Sequence, residues 1–313
     1  MAKNIFVAGL DDFHLNQLRS LKRSGEYRFF PLMSYEEIKC GETFPLQGFL
    51  DEARRTFASF SGRVDGVIGF WDFPVSTVLP LVQREAGLRG PTIEAVLKCE
   101  HKYWSRLLQA EVVPEHIPPF TLVNPFLADA VDRCRLEYPF WLKPVKSVLS
   151  HLGFLIENPQ SFRTSLEIIR RNINRYAEPF NFILQHAELP GEIEEADGYH
   201  CIAEGLISKG RQCTMEGYVH NGNLQVYGTV DSIRGGRLQT SFTRYQYPSA
   251  LPPGVQTCMI EITKKTLSHM GYDNAPFNIE FYWDEETDSI SLLEVNTRIS
   301  KSHCPLVKMV DGE

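Results

Sequence analysis

The residues from Phe277 to Arg298 constrain the fold more tightly than any other stretch. Phe277, Ile279, Phe281 and Trp283 alternate with Asn278, Glu280 and Tyr282, an acidic turn follows, and Leu293 and Val295 resume the apolar side. Alternation with a period of two on both flanks of a turn predicts a β-hairpin with one buried face. With Asp284 paired to Ile290 across a five-residue loop, Glu280 falls opposite Glu294 and Asn278 opposite Asn296.

Like charges facing each other across a strand pair are destabilising, so such a sheet normally carries a cation between them or a raised pKa on one. Two acids and an amide form an oxygen-only donor set, which suits magnesium better than zinc. Arg298, two residues beyond Asn296, shares its face and can reach a phosphate. The bland alternative is a solvent-exposed face on which acids and amides stay wet.

The pair Phe-Asn-Ile-Glu-Phe and Leu-Leu-Glu-Val-Asn-Thr-Arg resembles the metal-binding end of the ATP-grasp superfamily. The resemblance implies that Glu280, Glu294 and Asn296 bind magnesium, or manganese in its place, and that Arg298 contacts the phosphoryl group being transferred.

Composition narrows the alternatives. A chain of 313 residues, 43% hydrophobic, can bury a sizeable core in two or three lobes. A formal charge of −7 and a pI near 5.8 argue against a nucleic-acid surface and favour small-molecule chemistry. The seven cysteines, at 40, 99, 134, 201, 213, 258 and 304, have neither metal-site nor disulfide-framework spacing and read as reduced cytosolic thiols. The N-terminus lacks a leader layout and no apolar run is long enough to span a bilayer, so a cytoplasmic protein without membrane or nucleic-acid partners is expected.

Asn4 to Gly9 reads as a strand, Phe13 to Leu21 as a helix, Tyr27 to Met33 as a strand and Phe49 to Phe60 as a helix. Val64 to Phe70 and Val75 to Glu85 repeat the strand–helix alternation, which implies a small parallel sheet of Rossmann-like type. Gly9 is a structural turn here: Gly-x-Gly-x-x-Gly is absent, and Asp11 and Asp12 would repel a pyrophosphate. After the turn-rich Gly87–Thr92 one helix runs to Ala110, carrying Lys102, and Val113-Pro114 and Ile117-Pro118-Pro119 force extended backbone.

Lys143 stands inside the apolar strand Phe140–Val145, where an unpaired charge costs several kcal/mol, so an anionic partner is expected. Pro159–Tyr176 reads as an amphipathic helix, Phe182–Gln185 as a strand, and Ala187–His200 as an acidic solvated loop. Arg211–Val219 is a strand that leads into a hairpin at Asn221-Gly222. Arg234, Gly235, Gly236 and Arg237 form a basic loop which, with Arg244, suits a substrate carboxylate or solvent equally. Val255–Met270 is a helix closed by Gly271.

By resemblance, Lys102 and Lys143 are the two phosphate lysines, with Lys143 and Arg298 acting on the reacting phosphoryl group. The segment Val145–Gly153 takes the place of the family's glycine-rich flap, but Gly153 is its only glycine, so Lys146, Ser147 and Ser150 stand in as side-chain donors, with Ser150 at the nucleotide. Glu204 and Ile207 line the adenine pocket beside a hinge at Cys201–Ile207, and Gln212 and Glu216 lie toward the ribose. His151 reads as a plain loop histidine.

The implied organisation is α/β: a Rossmann-like pre-ATP-grasp domain over residues 1–100, a small ATP-grasp lobe over 101–205, and a large lobe over 206–313 that looks short or cut at its C-terminal end. The resemblance is to the carboxylate–amine ligase branch. It implies ATP, magnesium, a small carboxylate and an amine, an acyl phosphate intermediate, ADP as product, and a chain able to pair as a homodimer. Carboxylation through carboxyphosphate and a non-catalytic ATP-binding domain remain the alternatives.

Overall fold

The computed structural model describes residues 2–39, 43–207, 209–235 and 241–312. Cys40, Gly236 and Arg237 lie outside the described residues. Among the described residues the strands form three sheets. The first is parallel, β1 (Lys3–Ala8), β2 (Tyr27–Leu32) and β3 (Gly66–Ile68), in the order β2-β1-β3. Gly9 turns the chain off β1 at φ +65°, and a Cβ there would strike Ile38 and Trp71, so glycine is required by both conformation and space.

The second sheet is antiparallel: β4 (Phe120–Val123), β5 (Phe140–Pro144), β6 (Phe154–Ile156) and β7 (Cys201–Gly205), ordered β4-β7-β5-β6. Its apolar face packs Phe140, Leu142 and Ile156 on Phe162, Leu166 and Ile169 of the helix Pro159–Asn172. That helix stops at Asn172, short of the expected Tyr176. The next one, Asn174–Leu184, includes Phe182 to Leu184, where a strand was expected. Phe180, Ile183 and Leu184 recur at helical spacing and are buried in the core of the first layer, so tertiary packing of a helical stripe outweighs the local β propensity. The acidic stretch also contains one helical turn, Gly191–Glu194, anchored by buried Ile193.

The third sheet comprises β8 (Arg211–His220), β9 (Asn223–Gly235), β10 (Ser241–Gln246), β11 (Ala275–Asp284) and β12 (Ser289–Asn296), ordered β10-β9-β8-β11-β12. Asn221 and Gly222, both at positive φ, make the tight β8–β9 turn that the sequence announces. The helix Pro253–His269 covers one face of this sheet.

The long helix expected after Thr92 is two helices, Ile93–Glu100 and Lys102–Val112. His101 breaks it: its backbone leaves the helical region at ψ 100° and its ring accepts the Trp104 amide at 3.2 Å as an N-cap. Ile93 and Leu97 pack into the first layer's core while Ala95, Val96 and Cys99 pack under the third sheet, so this pair of helices ties the layers together. Among the described residues no helix is long and apolar enough to cross a membrane.

Candidate active site

The hairpin β11–β12 places Glu280 opposite Glu294 and Asn278 opposite Asn296, but by a different route from the one expected. Asp284 pairs with Ser289, one residue earlier than Ile290, and a β-bulge between Glu280 and Phe281 restores the register at the acids. Leu292 therefore faces the core in place of Leu293, and Ile290, Leu292 and Val295 are buried while Glu294 and Asn296 take the opposite face.

Arg106 holds that bulge. From the helix Lys102–Val112 its guanidinium donates to the carbonyls of Leu292 (3.1 Å) and Leu293 (2.8 Å), to Gln109 (2.5 Å), and to Glu204 on β7 (2.6 Å). Glu204 accepts a second ion pair from Lys143 on β5. Burial by itself would raise the Glu204 carboxyl, but Arg106 and then Lys143 reverse this and hold it at about 2. Lys102 begins the same helix, its amide bound to the Val145 carbonyl at 2.9 Å, and its ammonium meets Glu294 at 2.5 Å. Burial raises the Glu294 carboxyl, and Lys102 with Lys143 more than offsets that, leaving it below the ordinary carboxylate range. Lys102, Lys143, Glu204 and Glu294 thus share one cavity with Arg106 and Gln109.

Glu280 behaves in the opposite sense. Burial, then the neighbouring Glu294 charge, pushes its carboxyl up, although the Gln212 amide donates to it at 2.8 Å. A buried carboxylate pressed upward by a second carboxylate is the electrostatic condition that a divalent cation relieves. The Asn296 amide nitrogen donates to Asn278 at 3.0 Å and lies 3.5 Å from Glu280 Oε1, which leaves the carbonyl oxygen, a hard donor, outside both contacts. Among the described residues no cluster of three or more His, Cys, Asp or Glu is arranged to hold a metal ion. Glu280, Glu294 and the Asn296 oxygen offer two carboxylates and an amide, hard-oxygen donors of the kind that suit magnesium.

Arg298 reaches across to the first layer, where its guanidinium donates twice to Asp72, at 2.6 and 3.0 Å. Despite burial, which would raise it, Arg298 and then Lys146 hold the Asp72 carboxyl well below its usual value. Lys146, expected as a flap donor, is instead buried against Glu100, which also accepts from Ser76 at 3.0 Å and from Thr297. Asp72 follows directly on Phe70 and Trp71 at the carboxyl end of the parallel sheet, the edge where open α/β sheets collect ligands.

The comparisons agree with this architecture. Residues 221–312 match the family model for the carbamoyl-phosphate synthase L chain, ATP binding domain. The L-amino acid ligase of Bacillus licheniformis superposes with a TM-score of 0.70 at 18% identity, over 98% of this chain and 70% of that one. The D-alanyl-alanine synthetase A of Vibrio cholerae gives 0.66 at 15%, over 100% and 94%. The chain has the ATP-grasp fold. The biotin carboxylase domain of the Hydrogenobacter thermophilus 2-oxoglutarate carboxylase, a dimer with MgADP and bicarbonate, aligns as well, at 0.70 and 16% over 100% and 67%. Among curated proteins none matches the chain by sequence.

Within the ATP-grasp fold, the residues singled out in the sequence divide into three groups. Lys102, Lys143, Glu204, Glu280, Glu294 and Asn296 converge around the hairpin face, and Arg298 adjoins them on Asp72. Ser150 and Ile207 are not among the residues lining the cavity that Lys102 and Lys143 share: Ser150 is exposed on the segment after β5 and Ile207 is half-buried just past β7. Gln212 and Glu216, expected toward the ribose, are buried on the same sheet face as Glu280. The Gln212 side chain is spent on Glu280, Arg234 (2.5 Å) and Tyr282 (3.2 Å), and Glu216 is fully buried with both oxygens bonded. Arg106, Asp72 and Glu100 escape a motif-based reading. Arg106 carries a signal even so, since it stands four residues after Lys102 on the same helical face.

Proposed function

We propose that the chain is an ATP- and magnesium-dependent ligase that converts a small carboxylate to an acyl phosphate, which an amine attacks to give an amide or peptide bond and ADP. The observation that carries this reading is the meeting of Glu280 and Glu294 on one hairpin face with Lys102 and Lys143 from the facing elements, Arg298 beside them. In this reading residues 1–100 are a Rossmann-like layer closing one wall of the cleft, 101–205 the small lobe and 206–313 the large lobe.

The adenine lies against Ile207 and the backbone after β7. Lys102 and Lys143 exchange their carboxylate partners for phosphate oxygens, so both ammonium groups have an anionic partner before and after the nucleotide enters. Magnesium held by Glu280, Glu294 and Asn296 would supply charge neutralisation at the terminal phosphates. Arg298, oriented by Asp72, stabilises charge that develops on the transferred phosphoryl group. No protein nucleophile is required, and catalysis consists of positioning and preorganised electrostatics.

The test is a screen of paired amino acids and small carboxylates for ADP release. Release that needs both partners supports the ligase, and absence of ADP with every mixture contradicts it. A carboxylase reading has one observation in its favour, the equal TM-score to a biotin carboxylase domain. Phosphate release driven by bicarbonate without any amine would select it.

A further inference from the structure

Beside the two acids, on the same face of the third sheet, lies a buried polar relay that the proposed reaction does not use. Glu216 on β8 is 0% exposed and His303 4%. Glu216 Oε1 accepts from the Asn278 amide and pairs with His303 Nδ1 at 2.7 Å. Its Oε2 accepts the Ser300 backbone N–H at 3.2 Å and the Tyr227 hydroxyl at 3.4 Å. Asn278 in turn accepts from the Asn296 amide nitrogen at 3.0 Å. Each link fixes the next: an acceptor-only carboxylate forces Asn278 to point its nitrogen at Glu216 and its oxygen at Asn296, and this holds the Asn296 nitrogen on Asn278, 3.5 Å from Glu280, with the Asn296 oxygen outside both contacts. The ring of Tyr245 packs edge-on against His303 with centroids 4.6 Å apart, holding the imidazole in place.

We propose that Glu216 and His303 are positioning residues of the cation site, setting the amide orientation of Asn296 through Asn278 and pinning the Ser300 loop that follows Arg298. This rests on the metal reading of the hairpin given above. Outer partners that orient a metal ligand typically change metal affinity 10- to 100-fold when removed, and a relay of this kind makes that sensitivity depend on hydrogen-bond polarity rather than on packing.

The polarity can be reversed to test it. Glu216→Gln sets an amide nitrogen against either the Asn278 nitrogen or the Ser300 N–H, breaking one link of the relay in each orientation, whereas the double variant Glu216→Gln/Asn278→Asp restores a donor–acceptor pair and still offers Asn296 an oxygen. Mn2+ is titrated by electron paramagnetic resonance into the intact protein with saturating ADP, and ADP affinity is measured without metal. The expected result is a 10- to 100-fold weaker Mn2+ affinity in Glu216→Gln, metal-free ADP affinity within about twofold, and recovery to within about threefold in the double variant. A folded Glu216→Gln with unchanged Mn2+ affinity, or a double variant no better than the single one, overturns the proposal. If circular dichroism finds Glu216→Gln unfolded, His303→Leu and His303→Asn carry the same test. The asparagine amide overlays Nδ1, so loss in His303→Leu alone supports the relay and equal affinities overturn it. Wild-type protein that binds no Mn2+ would instead sink the metal reading of Glu280 and Glu294.

Discussion

The two sides of the candidate site are built on contrasting principles. On the hairpin side alternation, interrupted by one bulge, sets the residues: apolar residues of β11 and β12 lock into the core under the third sheet, and the acids are carried on the other face. A slip of one residue would bury two glutamates and expose Phe277, Ile279 and Phe281, so the register is fixed. On the flap side nothing is periodic. Leu149, Ser150 and Leu152 hold φ of 51°, 59° and 56°, the left-handed region that glycine enters freely, and Leu149 is 87% exposed. Each such residue costs about 1 kcal/mol. Buried Lys146 anchors the flap at its base, bonded to Glu100. The contrast teaches that the hairpin side is rigid by core packing, whereas the flap side stores strain and lies outside the sheet that could hold it.

Substitutions on the rigid side should therefore hurt most. Glu294→Gln keeps the hairpin's shape and should lower ADP formation about a thousandfold, roughly 4 kcal/mol of transition-state stabilisation, with an unchanged circular dichroism spectrum. Turnover within tenfold of wild type would break the contrast at its strongest point. Arg106→Met strands Glu204 with one cation fewer and frees the bulge carbonyls. Urea unfolding should register a loss of about 3–5 kcal/mol, against under about 1 kcal/mol for the surface substitution Arg133→Met.

The pH dependence has a definite sign. The Glu204 carboxyl is depressed from an ordinary 4.5 to about 2, so its stabilisation is full above 4.5 and disappears as pH falls toward 2. Linkage puts the loss at about 3 kcal/mol, and Glu204→Gln should flatten that part of the stability profile. Glu280 is raised, so its contribution runs the other way, present at low pH and lost as pH climbs through its raised value. The smallest effect belongs to the flap. Leu149→Gly should raise stability by up to about 1 kcal/mol and leave ADP formation at or above wild type, while Ile279→Gly in β11 should be severely destabilising.

Legibility follows the same divide. The Glu280–Glu294 and Asn278–Asn296 pairs could be read because side-chain alternation carries register, and Lys143 could be read because a charge inside an apolar strand demands a partner. The bulge lay in the sequence as a three-residue step between Leu292 and Val295 where a regular strand takes two, but a five-residue loop gives the same acid pairing without it. The strand expected at Phe182 failed because a short apolar run is ambiguous until its burial partners are known. Asp72 and Glu100 could not be assigned locally. Their roles depend on Arg298 and Lys146, which are 226 and 46 residues away in sequence. Gln212 and Glu216 were placed by family position, and only three-dimensional bonding reveals that their polar atoms are already engaged.

The central claim is that Glu280 and Glu294 hold a divalent cation with the nucleotide, and calorimetric titration of ATP with and without magnesium tests it most directly. The account predicts at least tenfold tighter ATP binding when magnesium is present, a difference of about 1.4 kcal/mol or more, and its disappearance in Glu280→Gln and Glu294→Gln. Equal affinity with and without magnesium in the wild-type protein would contradict it.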